Sequence, residues 1–148
     1  MAELQGIHAR RAALRLLDAV LRQGETLDIA FNGATRDIRK FEDKALARAI
    51  ASEVLRWLVD LDALIDSATK KPLPHDAKAR MVLRMMLAQW LRLDTPPHAV
   101  LATGLDLLAG GQRRPVVKSL VVEAGGGVDG FGHPVDHDVG QELVLGVH

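Results

Sequence analysis

From Asp43 to Ala68 the chain reads DKALARAIASEVLRWLVDLDALIDSA, with neither glycine nor proline. Its apolar residues Leu46, Ile50, Val54, Trp57, Leu61, Ile65 and Ala68 recur at helical spacing. At about 100° per residue these positions share an arc of roughly 100°, while Lys44, Arg48, Ser52, Arg56 and Asp60 line the opposite side. One long helix is expected, with Asp60 as the candidate point for a bend. A helix with so wide an apolar stripe needs other helices to cover it.

The flanking segments supply that cover. A first helix is expected from about His8 to Gln23, burying Ala12, Ala13, Leu16, Leu17 and Val20 and ending at Gly24 as a left-handed cap. Arg11, Arg15, Asp18 and Arg22 form its outer stripe. A short second helix starts at Thr26, an N-cap, and runs to about Ala34, followed by a loop from Thr35 to Glu42. After the long helix, Lys70-Lys71-Pro72-Leu73-Pro74 is a stiff break. Asp76 then caps a helix from Ala77 to Leu93, apolar nearly all round and so placed at the centre of a bundle. Thr95-Pro96-Pro97-His98 starts a fifth helix, a capping hydroxyl followed by proline at the first helical position, and Gly110-Gly111 ends it. Five helices with short connections make an all-α bundle.

Past that point the pattern stops. Val116 to Val122 suits a short strand or a helix stub, and the glycine-rich remainder is expected to be disordered. Nine of the 13 glycines lie in the final 39 residues. The overall net charge of zero hides a matching shift. Residues 1–114 hold 18 Lys+Arg against 14 Asp+Glu, net +4, whereas residues 115–148 hold only Lys118 against Glu123, Asp129, Asp136, Asp138 and Glu142, net −4. This divides the chain into a helical domain and an irregular tail.

The absence of cysteine excludes disulfides, thiolate metal sites and a cysteine nucleophile. No run approaches the length of a membrane span, and Met1 to Gly6 lacks the features of a signal peptide, so a cytoplasmic protein is expected. Arg11, Arg15 and Arg22 on one helix face, with Arg36, Arg39 and Lys40 in the next loop, suit phosphate contact. Asp18 and Asp37 interleave with them as on an ordinary solvated face. His133, Asp136, His137 and Asp138 are suitable metal ligands at short spacing, but no rigid element holds them and chance composition is the preferred reading. His98 is a conceivable acid or base that lacks a nucleophile or carboxylate nearby, and Met81, Met85, Met86 and Trp90 read as core. No catalytic constellation, metal site or cofactor site is expected.

Several stretches, taken in order, resemble the NusB-like helical domain: Ala9-Arg10 with Ala13-Leu14 and Leu17, then Asp43-Lys44-Ala45-Leu46-Ala47-Arg48. They continue with Val54-Leu55-Arg56-Trp57, Leu61-Asp62-Ala63-Leu64-Ile65, Leu83-Arg84-Met85, Ala88-Gln89 and Pro97-His98-Ala99-Val100. The resemblance covers about residues 7–114 and is closest to the N-terminal domain of the RsmB (Sun/Fmu)-type ribosomal RNA cytosine-C5 methyltransferases. It implies an RNA-binding domain, with ribosomal RNA as partner and no DNA or membrane contact. In that family catalysis belongs to a later S-adenosylmethionine-binding domain that uses cysteines, so this chain is expected not to be an enzyme by itself. Arg10, Arg11 and Arg15 on the first helix, with Arg36, Arg39 and Lys40, are the expected RNA contacts. The other branch that shares this domain is the transcription antitermination factor.

After Gln112-Arg113-Arg114 the family would continue with a further helix, whereas Pro115-Val116-Val117-Lys118 and glycine-rich sequence follow here. Residues 115–148 are therefore expected to be out-of-frame or truncated sequence. Loss of the closing helix would leave an apolar face uncovered, lowering stability and offering a protein partner a docking surface. An interaction adaptor and an enzyme fragment without surviving function are the competing readings.

Overall fold

The computed structural model describes residues 4–109, which form six helices and no strand. They are α1 (Ile7–Leu21), α2 (Leu27–Ala34), α3 (Phe41–Arg56), α4 (Leu58–Ala68), α5 (Lys78–Arg92) and α6 (Pro97–Leu107). The expectations for residues 115–148, including the strand or helix stub, the disorder and the His133–Asp138 cluster, lie outside the described residues.

α1 and α3 form the most extensive helix pair. Alanines explain the fit: Ala9, Ala12 and Ala13 on α1 and Ala47 and Ala51 on α3 are all fully buried. Side chains this small let two helix backbones approach closely. Leu16, Leu17, Ile50 and Val54 complete the interior of this pair. α2 folds back over α1, its start fixed by Thr26, whose hydroxyl accepts the Ile29 N–H at 3.3 Å. Between them Gly24 takes φ 73°, and the Glu25 N–H reaches the Ala19 carbonyl at 3.1 Å, as the expected left-handed termination requires.

α5 runs through the middle, against α1, α3, α4 and α6, as its all-round apolar pattern predicts. Eleven of its fifteen residues are buried, Met81, Met85, Met86 and Trp90 among them. α6 closes against it where Gly104 meets Met86.

Three sequence expectations are corrected. The long helix is two helices, so six stand where five were expected, and the break falls at Trp57 rather than near Asp60. Trp57 leaves helical geometry (φ −109°, ψ 21°), donates its N–H to Glu53 at 3.1 Å and accepts from Leu61 at 2.8 Å, so it ends α3 and begins α4. Neither glycine nor proline marks this place; the Arg92 guanidinium lies over the Trp57 ring at 4.4 Å, and the turn lets Leu61 and Ile65 pack inward. Asp76 does not cap α5, because the N-cap is Ala77 and makes no side-chain cap bond; the Asp76 carbonyl instead accepts the Arg22 guanidinium. Thr95 does not cap α6 either. Its N-cap is Pro96, while Pro97 takes the first helical position as expected.

Candidate nucleic-acid interface

The loop from Thr35 to Lys40 is held by its two apolar-facing residues. Thr35 donates its hydroxyl to the Phe31 carbonyl at 2.7 Å, Ile38 donates its N–H to Thr35 at 3.0 Å, and both side chains are buried. With those two inside, Arg36, Arg39 and Lys40 are turned out and exposed. Arg15 approaches the same corner from α1. Its Nε and Nη2 donate to the Ala34 carbonyl at 3.4 and 3.2 Å, which sets a cation on the C-terminal end of α2, where the helix dipole favours one. Arg15 thus stands beside the residues that lead into Arg36. None of Arg15, Arg36, Arg39 and Lys40 forms an ion pair among the described residues.

Arg11 lies one turn before Arg15 on the same face and pairs at 3.4 Å with Asp106 on α6. Arg11 is exposed and Asp106 half-exposed, so water screens the pair and it leaves Arg11 available. Arg22, at the far end of α1, is occupied by Asp18 and by the Asp76 carbonyl.

Arg10 is different. It is only 7% exposed, its Nε donates to the Gln89 side-chain oxygen at 2.9 Å, and Nη1 reaches the Gly6 carbonyl at 3.3 Å. Burial lowers the affinity of this guanidinium for its proton, against the pull of Asp43. An Arg10 held there reaches no surface ligand, so the expectation that it touches RNA is corrected to a structural role. The physical reason is its register: Arg10 shares its face with Ala13 and Leu17, both buried, whereas Arg11 and Arg15 lie on the outer stripe.

A second charged constellation escaped the sequence reading. Arg80, 1% exposed, donates Nε and Nη2 to the Leu73 carbonyl at 2.9 and 2.7 Å, Nη1 to Asp62 at 3.1 Å and Nη2 to Asp66 at 2.5 Å. Arg84 grips the same Asp62 through Nε at 2.8 Å and Nη2 at 3.0 Å, one to each carboxylate oxygen. Burial works against ionisation of Asp62, but the bonds and charges of Arg84 and Arg80 outweigh it and hold the carboxyl below the usual range. For Arg80, too, burial is outweighed, by Asp66 and Asp62, and its pKa is raised. Every cation here is satisfied internally, so the cluster locks α4 and the proline loop to α5 and offers a ligand nothing. Spacing was the available signal, because Asp62/Asp66 and Arg80/Arg84 each stand four apart on consecutive helices.

His98 is exposed at the start of α6. Among the described residues no group of three or more His, Asp or Glu side chains could hold a metal ion. No helix there is long and apolar enough to cross a membrane.

Six helices in this order, with the first tied to the fifth through the buried Arg10–Gln89 bond and a basic corner where α1, α2 and the following loop meet, define a small helical-bundle domain. The chain belongs to the NusB family, whose pattern matches residues 7–111. It is similar to Ribosomal RNA small subunit methyltransferase B of Xanthomonas campestris pv. campestris, 33% identical over 102 residues that cover 68% of this chain and 23% of that protein. The protein of the same name from Xylella fastidiosa (strain Temecula1) is 33% identical over 102 residues, 68% of this chain and 24% of its own. That from Klebsiella pneumoniae is 30% identical over 116 residues, 78% and 26% respectively. The chain therefore spans about a quarter of the length of these relatives. No solved structure matches it.

Proposed function

We propose that this chain is an RNA-binding domain of the kind found in the N-terminal part of ribosomal RNA methyltransferases, with ribosomal RNA as its ligand in the cytoplasm. In this reading it grips the sugar–phosphate backbone and does no chemistry of its own. The observation that carries the reading is the anchored loop: Thr35 and Ile38 are buried so that Arg36, Arg39 and Lys40 stand exposed beside Arg15, without acidic partners. Arg11 extends the same face by one turn. Cations clustered at one corner, unpaired and outnumbering the interleaved Asp37, are what a polyphosphate backbone needs, and each contact adds affinity by releasing condensed counterions. The names of the relatives supply the class of RNA.

The test is binding of a labelled small-subunit ribosomal RNA fragment by the unmodified chain and by the Arg15→Gln, Arg36→Gln, Arg39→Gln quadruple variant with Lys40→Gln. Arg56→Gln is the control, at the other end of α3 and about 24 Å from Lys40 at about 1.5 Å of helix rise per residue. The quadruple variant should bind far more weakly while Arg56→Gln matches the parent. Equal binding by all three proteins would refute the assignment.

A further inference from the structure

Four aromatic residues lie in the described part of the chain, and three of them are covered. Phe31 lies under the Arg48 guanidinium at 5.2 Å, Trp57 lies under Arg92 at 4.4 Å, and Trp90 is in the core. Phe41 is the exception, 78% exposed. It is the first residue of α3 and follows Arg39 and Lys40 directly; Lys44 stands three positions on, on the same helix face. Two carboxylates, Glu42 and Asp43, adjoin it, but Asp43 acts on the buried Arg10. A ring this exposed buries little apolar area in the fold, so its surface is available to a ligand. With cations on both sides it has the make-up of a surface for single-stranded nucleic acid, in which a ring receives a base while neighbouring cations take the phosphates.

We infer that Phe41 is a stacking platform for an unpaired base, and that the RNA this domain prefers is single-stranded at the point of contact. The inference rests on the RNA-binding reading above and adds to it the form of the RNA. In a duplex each base face is already covered by its neighbours, whereas a base in a loop or single strand can turn onto a ring. Arg39 and Lys40 hold the flanking phosphates, and Arg36 and Arg15 continue the track along the backbone. Base identity matters little at such a contact, because every base offers a π-face.

The experiment measures anisotropy of a labelled single-stranded oligoribonucleotide and of the blunt-ended duplex it forms with its complement, with the full chain and with Phe41→Ala and Phe41→Trp. An exposed side chain can be removed without unfolding the domain, and the far-ultraviolet circular dichroism melt of each variant checks this. Phe41→Ala should weaken single-strand binding about 5- to 150-fold, as loss of one base stack does, with an unchanged salt slope. Phe41→Trp should bind the single strand as the parent does, and binding of the blunt-ended duplex should be indifferent to both substitutions. If Phe41→Ala binds the single strand as well as the parent, the stacking role is overturned while the phosphate contacts stand. If it weakens both RNAs alike, the preference for an unpaired base is overturned. If the parent binds neither RNA, this inference and the RNA-binding reading fall together.

Discussion

Replacing Asp62 with asparagine keeps the shape of the side chain and removes its charge, and the structure indicates what that costs. Asp62 accepts three hydrogen bonds, one from Arg80 and two from Arg84, and is itself mostly buried. After the change Arg80 keeps Asp66 and its two bonds to the Leu73 carbonyl. Arg84, with a side chain 4% exposed, can still donate Nε to the remaining amide oxygen, but its Nη2 then faces an NH2 group in place of an acceptor, and its charge is left without a carboxylate; its other contacts are the His75 carbonyl at 3.4 Å and the Met81 sulfur at 3.7 Å. Removing one partner of a buried ion pair costs about 3–5 kcal/mol. The contacts left to Arg80 put Asp62→Asn at the lower end, about 3 kcal/mol, against a total stability on the order of 5–15 kcal/mol. Urea unfolding followed by circular dichroism should show the midpoint falling by about 1–3 M at unchanged slope. Adding Arg84→Met removes the stranded cation, so the double variant should recover part of the loss. A shift from Asp62→Asn under about 0.5 kcal/mol, or additive losses in the double variant, would refute the lock between α4 and α5.

The same carboxylate sets an acid limit. Its folded-state pKa lies below the ordinary value, so the unfolded chain binds the proton more tightly; the contribution is complete above the unfolded pKa of about 3.9 and is lost as pH falls through the folded value. The gap in melting temperature between the parent and Asp62→Asn should therefore be constant at neutral pH and narrow below about pH 4. Arg10→Met should destabilise by about 1–3 kcal/mol, because the buried Gln89 oxygen loses its donor, yet leave the salt dependence of RNA binding unchanged. Gly104→Ala sets a methyl within 2.5 to 2.9 Å of the Met86 sulfur, Cε and Cγ. Crowding of about 1–3 kcal/mol exceeds the helix-propensity gain of about 1 kcal/mol, so a net loss on the order of 1 kcal/mol is expected in a thermal melt.

Periodicity made most of this fold legible. The stripes on α1, α3, α4 and α5 bury most of the residues expected of them, with Val20, Leu46, Trp57 and Ala68 half-buried, and Gly24 and Pro97 mark boundaries as their backbone chemistry requires. Trp57 was illegible because nothing local breaks the helix there; the turn is set by what Leu61 and Ile65 pack against and by Arg92 above the ring. Asp76 and Thr95 show the reverse case, cap-forming residue types one position too early to act as caps. The charged residues were read less well. Side-chain type alone groups Arg10 with Arg11, whereas a 100° step sends one inward and the other out. Arg80 and Arg84 sit on a helix whose apolar pattern gives them no role, and only contact with α4 reveals that they are buried.

Ribosomal RNA binding as a function of salt tests the central assignment most directly. A labelled single-stranded segment of small-subunit ribosomal RNA is titrated with the full chain from about 50 to about 200 mM monovalent salt. With Arg11, Arg15, Arg36, Arg39 and Lys40 making four to five phosphate contacts, as proposed, the logarithm of the binding constant should fall linearly against the logarithm of salt with a slope of about −3, at about −0.7 per contact. No binding at the lowest salt, or a slope near zero as at an apolar protein interface, would contradict the account.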